Sequence, residues 1–103
     1  MSLVEVAQVD QVPEGTMKSV SVQGVPVLIV NVEGKFYALS DRCTHYSGDL
    51  SQGKLKGSIV TCPRHGAQFD VTTGSQLKGP GDESVSVYKV KVEGKSIKVD
   101  IYG

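Results

Sequence analysis

The 103-residue chain has no tryptophan, only two cysteines, only two histidines and no surplus of either charge. Eleven Lys and Arg against eleven Asp and Glu leave a formal net charge of zero. That excludes the basic excess of a general nucleic-acid binder and the acidic excess of a disordered tail. No apolar run approaches the roughly 20 residues of a membrane-spanning helix. The longest, 25–32, is interrupted by Pro26 and Asn31, so no membrane partner is expected. Met1-Ser2-Leu3-Val4-Glu5 lacks a basic start and meets a charge too early for a signal peptide. The expected compartment is therefore the cytoplasm, where a disulfide between the two cysteines is not expected. The length suits one domain and is too short for two independent cores.

What the chain has in quantity is valine, 17 residues, and glycine, 12, the composition of an all-β chain with many tight turns. Apolar alternation predicts strands near 3–9, over 17–22, over 25–32 and over 35–39, with turns at Pro13-Glu14-Gly15, Gln23-Gly24 and Glu33-Gly34. Pro26 suggests an edge strand or a strand start. From residue 41 to 83 the periodicity fades, Gly, Asp, Ser and Pro become frequent, and only short strands fit, at 58–61 and 68–71. Strands resume at Val85. Val85-Val87 and Tyr88-Val90-Val92 lie on opposite phases, which a bulge between Val87 and Tyr88 would reconcile. A hairpin at Glu93-Gly94 leads into a last strand, 95–101.

The expectation is a single all-β domain, 1–103. Small antiparallel sheets form a sandwich or partly open barrel (1–40 and 84–103), and a loop-rich lobe (41–83) is inserted at one end. A loop region that long in a small domain is uncommon unless it is functional or tied down. Phe36, Tyr37, Leu39, Ile59 and Val60 are expected to pack beneath it.

The lobe holds every Cys and every His: Cys43-Thr44-His45, sixteen residues, then Cys62-Pro63-Arg64-His65. Each cluster offers one thiolate and one imidazole, and two such loops facing each other supply four ligands. Two metals suit that set. Zinc takes Cys2His2 tetrahedrally from short-spaced pairs, although zinc fingers pair like with like and end on a helix. A [2Fe–2S] cluster with two Cys on one iron and two His on the other needs one of each per loop. No nucleophile-base pair, paired carboxylates or phosphate-binding glycine loop stands out, so the chain reads as a carrier and not as an enzyme.

Cys43-Thr44-His45, the spacing, Cys62-Pro63-Arg64-His65-Gly66 and Phe69-Asp70 resemble the two ligand loops of Rieske proteins. The resemblance implies a [2Fe–2S] cluster held by Cys43 and Cys62 on the inner iron and by His45 and His65 on the outer one. In that family the inner iron stays ferric while the outer one cycles. Gly79-Pro80-Gly81 is similar to the family's third, covering loop. Rieske proteins of cytochrome bc complexes carry an extra, mutually bonded Cys in each loop. Gly48 and Arg64 stand at those places here. They also set Ser and Tyr hydroxyls near the sulfurs, where this chain has Ala67 and Phe69. Hydrogen bonds to the sulfurs raise the potential, so a value near the low end of the family's range, about −150 to +300 mV, is expected.

The resemblance therefore implies a Rieske-type ferredoxin, similar to those of aromatic-ring dioxygenases and related monooxygenases. It would take electrons from a flavin-dependent reductase and pass them to a terminal oxygenase, docking by the exposed His45/His65 face. The alternatives are the small subunit of an NAD(P)H-dependent nitrite reductase and a zinc-stabilised interaction module. Gly66, beside a ligand, is expected to serve the site and Pro63 to stiffen its loop through a trans bond. Tyr46 is assigned to surface packing. Arg42, Lys54, Lys56, Arg64 and Lys78 form a candidate basic rim, with Asp41, Asp49 and Asp70 as weaker surface candidates.

Overall fold

The structure, a computed structural model, describes residues 3–41, 50–62, 66–78 and 85–101. Their strands are β1 (Val4–Gln8), β2 (Met17–Val22), β3 (Val25–Val32), β4 (Lys35–Ser40), β5 (Lys54–Lys56), β6 (Ile59–Thr61), β7 (Gln68–Asp70), β8 (Gln76–Lys78), β9 (Val87–Glu93) and β10 (Ser96–Asp100). Two single-turn 3₁₀ helices, Val9–Gln11 and Leu50–Gln52, are the helical elements among the described residues. Six strands form one sheet in the order β1-β10-β9-β4-β3-β2, and four form a second in the order β5-β6-β7-β8. All pairings are antiparallel. The ends of the larger sheet, β1 and β2, come back beside each other, so it nearly closes into a barrel.

The run 25–32 is apolar throughout because β3 is covered on both faces. Val27 and Ile29 point into the barrel with Ala7, Val12, Val22, Ala38, Ile97 and Val99. Leu28 and Val30 point the other way, into a second core with Leu39, Leu50, Val60, Cys62, Ala67, Phe69, Val71 and Val85. Burial of each such aliphatic side chain is worth about 1.5–3 kcal/mol, so this second core fastens the small sheet to the barrel. β3 is thus a central strand. Pro26 marks its beginning, opposite Ser21, and does not mark an edge.

Between β2 and β3 and between β3 and β4 the chain reverses in two residues, with Gln23 and Glu33 both at φ +52°. Positive φ at the first turn residue matches the right-handed twist of the flanking strands. The last hairpin differs by one residue from the sequence expectation. Glu93 pairs with Ser96, so the turn is Gly94-Lys95.

The expected bulge at Val87/Tyr88 is absent: Ala38 faces Tyr88 and Leu39 faces Val87 in unbroken register. The phase change has another cause. Val85 precedes the strand and is buried in the second core, while Tyr88 and Val90 pack on the barrel core. Val87 is left 46% exposed. Register breaks fall instead between Glu5 and Ala7 and between Gln68 and Phe69. Of the residues expected beneath the lobe, Tyr37, Leu39 and Val60 are there. Phe36 packs on the barrel core, because it alternates with Tyr37 along β4. Ile59 belongs to neither core, since its register partners Lys56 and Asp70 share the outer face of the small sheet.

Candidate metal centre

Of the four expected ligands, Cys62 is described; Cys43, His45 and His65 lie outside the described residues, as do Arg42, Tyr46, Gly48, Asp49, Pro63, Arg64 and Gly79-Pro80-Gly81. Accordingly, no three metal-ligating side chains cluster among the described residues.

Cys62 directly follows β6 and is a free thiol, 1% exposed. Its N–H donates to the Ala67 carbonyl at 2.7 Å, and its carbonyl accepts from Gly66 N–H at 3.2 Å. These bonds extend the β6–β7 pairing past Thr61–Gln68 and close segment 63–65 at its base. Gly66 sits at φ +68° with open space where a Cβ would project. Its requirement is therefore conformational, since the left-handed region costs an L-residue roughly 1–2 kcal/mol.

The other segment, 42–49, is closed by Leu50 N–H donating to the Asp41 carbonyl at 2.7 Å. Leu50 packs in the same core as Cys62, Ala67 and Phe69. Leu50 and Cys62, next to the two segments expected to carry ligands, thus share one apolar platform. Gly53, which follows the turn Leu50–Gln52, lies so close to β6 that any Cβ there would overlap the Thr61 carbonyl. A cavity of about 360 Å³, lined by Gln52, Gly53, Lys54, Thr61, Cys62 and Gly66, opens at this place.

The donor chemistry fits the expected group. A buried thiol, walled by apolar side chains and placed at a cavity, suits a thiolate bound to an iron shielded from water. Ala67 and Phe69 are fully buried in the core that holds Cys62, and neither side chain has a donor to offer a sulfur.

The charged candidates divide. Lys54, Lys56 and Lys78 are exposed. The register row Lys54–Thr61–Gln68–Lys78 puts two of them on the outer face of the small sheet, and Lys56, opposite Ile59, shares that face. Asp70 is bound into its own turn, accepting from Thr72 N–H at 2.9 Å and Thr72 Oγ at 2.6 Å. Asp41 does not belong to a surface rim at all: it is 1% exposed. Its carboxylate accepts from Ser19 Oγ, Ser51 N–H and Ser51 Oγ.

The Rieske [2Fe-2S] domain family matches residues 2–89. The chain belongs to that family, whose members hold one [2Fe–2S] cluster, and this decides between the two metals that the spacing allowed. Within it the chain is of the ferredoxin type, an electron carrier and not itself a catalyst. It is 37% identical over 91 residues to the ferredoxin component of the naphthalene 1,2-dioxygenase system of Pseudomonas aeruginosa, covering 88% of each chain. Among solved structures it is similar to a ferredoxin-length chain in a complex of reduced oxygenase and oxidised ferredoxin of carbazole 1,9a-dioxygenase. There the TM-score is 0.89, with 33% identity, and 94% of this chain and 91% of that one are covered. It also matches a 2-oxoquinoline 8-monooxygenase component with TM-score 0.86 and 27% identity. In that case 94% of this chain corresponds to only 25% of the larger one. The end-to-end match to the ferredoxin and the partial match to the monooxygenase place the chain with the carriers. No helix among the described residues is long and apolar enough to cross a membrane.

Proposed function

We propose that this chain is the cytoplasmic ferredoxin of an aromatic-ring oxygenase system, taking electrons from a flavin-dependent reductase and delivering them one at a time to a terminal oxygenase. The observation that supports this most is the end-to-end similarity to a ferredoxin from a complex with its oxygenase. A solved chain described as a nitrite reductase small subunit shares the fold over the same length, but at 19% identity it supports that alternative less than the ferredoxin, at 33%, supports this one.

In this reading Cys43 and Cys62 supply thiolates to one iron, and His45 and His65 supply imidazoles to the other. The domain is one unit, with 1–40 and 84–103 as the base and 41–83 as the lobe. When bound, the cluster supplies a one-electron couple. The chain's own residues do the rest. Leu50, Val60, Ala67 and Phe69 keep water from the Cys62 side. Closure of 63–65 at Cys62 and Ala67 holds that thiol in place. Partners dock at the His45/His65 face, and Lys54 is exposed at the cavity beside Cys62.

The test is anaerobic stopped-flow mixing of the reduced full chain with the oxidised terminal oxygenase encoded nearest to it in its own genome. The expected result is transfer of one electron per chain, slowed when Lys54→Glu reverses the charge beside the cavity. A chain that keeps its electron in the presence of that oxygenase would contradict the proposal.

A further inference from the structure

Asp41 is the one buried carboxylate in the described lobe, and its bonds reach three separate elements. Oδ2 accepts from Ser19 Oγ on β2 at 2.7 Å. Oδ1 accepts from Ser51 N–H at 2.7 Å, and Oδ2 also accepts from Ser51 Oγ at 2.9 Å, both in the 3₁₀ turn Leu50–Gln52. The backbone of Asp41 adds two more ties: its N–H donates to the Pro26 carbonyl at 3.2 Å, and its carbonyl accepts from Leu50 N–H at 2.7 Å. A carboxylate is costly to bury unless its oxygens are filled by donors. Here three donors meet two oxygens, and two of the three come from Ser51, two residues beyond segment 42–49.

We propose that Asp41 is the positioning residue of the first ligand loop. It clasps the two ends of 42–49 to each other and to β2, and so limits the arrangements open to Cys43 and His45 between them. This rests on the reading that Cys43 and His45 are ligands. Closing the base of a loop removes most of the arrangements its interior residues would otherwise sample. Ligands that must meet two irons at fixed separation benefit directly from such closure. Asp41 touches none of the ligands through any bond described, so its effect passes through the loop ends.

Asn replaces the carboxylate by a neutral amide of the same shape. Its oxygen still accepts from Ser51 N–H, and its NH2 donates to the two hydroxyls. Asp41→Asn therefore keeps the clasp and removes the charge, Asp41→Ala removes both, and Ser51→Ala removes one strand of the clasp. Asn31→Ala is the control for general stability. Asn31 is also buried, and its side chain bonds the Val12 carbonyl and Gly34 N–H, both in the barrel base.

The experiment uses the full cluster-loaded chain and these four variants. It follows loss of visible absorbance in EDTA, the midpoint potential, and the resonance spectrum of the reduced state. Asp41→Ala is expected to bleach at least tenfold faster than the parent with a broadened spectrum, and Ser51→Ala about threefold faster. Asp41→Asn should bleach within twofold of the parent, with a raised potential because a negative charge has gone. Asn31→Ala should lower the melting temperature while leaving potential and spectrum unchanged. Where Asp41→Ala does not fold, Ser51→Ala decides. Bleaching of Ser51→Ala at the parent rate overturns the proposal. So does an Asn31→Ala variant that reproduces the altered spectrum and bleaching of the Asp41 variants. A parent chain without iron or visible absorbance would overturn the ligand reading itself, and this proposal with it; loss of the clasp effect in a loaded parent overturns the proposal alone.

Discussion

A Cys62→Ser variant is expected to purify colourless, with less than one iron per chain, while keeping its strand content. The backbone of Cys62 is held on both sides, by Ala67 and by Gly66, so the side chain at this position leaves β6 in a set direction. Serine is nearly the same shape, and its oxygen would follow the sulfur's path. A neutral hydroxyl is a far poorer iron ligand than a thiolate, the donor on which these clusters depend. Placing that hydroxyl among Leu50, Val60 and Phe69 would cost about 1–3 kcal/mol, enough to lower the melting temperature without unfolding a domain of ordinary stability. Iron analysis, visible absorbance and far-ultraviolet circular dichroism on the same sample separate the two effects. A Cys62→Ser protein with the parent's spectrum would mean that this thiol is not a ligand.

The second large effect concerns the potential. Ala67→Ser and Phe69→Tyr each introduce a hydroxyl into the core that holds Cys62. A donor aimed at a cluster sulfur stabilises the reduced, more negative state, so the midpoint potential rises. Taking the gain on reduction as about 1 kcal/mol, the net worth of an ordinary hydrogen bond, the shift is about 40 mV for one electron. The two sites are not equally easy to alter. Both residues are fully buried, but serine adds one atom beside the backbone, whereas tyrosine adds its oxygen at the far end of a packed ring. Overpacking of that kind costs about 1–3 kcal/mol. Ala67→Ser is therefore expected to raise the potential with little loss of stability. Phe69→Tyr should raise it with a lowered melting temperature. Protein-film voltammetry and thermal melts on both variants check this. Unchanged potentials would mean that these side chains point away from the sulfurs.

The bounds of β2 and β3 were legible in the sequence because one alternates cleanly and the other is apolar on both faces. β5 and β8 were not. Lys54-Leu55-Lys56 and Gln76-Leu77-Lys78 offer one apolar residue each, and they become strands because β6 and β7 lie beside them to be paired. The phase change near Val87 was visible, but its cause was not. A bulge and a residue shared with a second core leave the same mark on a sequence, and only the packing of Val85 against the lobe distinguishes them.

At the site, the spacing of Cys and His points to Cys43, His45, Cys62 and His65 as the ligand set, and the structure adds the apolar platform that holds Cys62. Asp41 went unrecognised because its burial depends on Ser19, 22 residues earlier, and Ser51, ten residues later. No local pattern reports a contact of that kind.

The most direct test of the account is the metal and sulfide content of the purified chain, read together with the resonance spectrum of its reduced form. The account predicts two irons and two acid-labile sulfides per chain, a red-brown colour, and a rhombic signal with the low average g value that nitrogen ligation of one iron produces. One zinc per chain with no visible absorbance would contradict it.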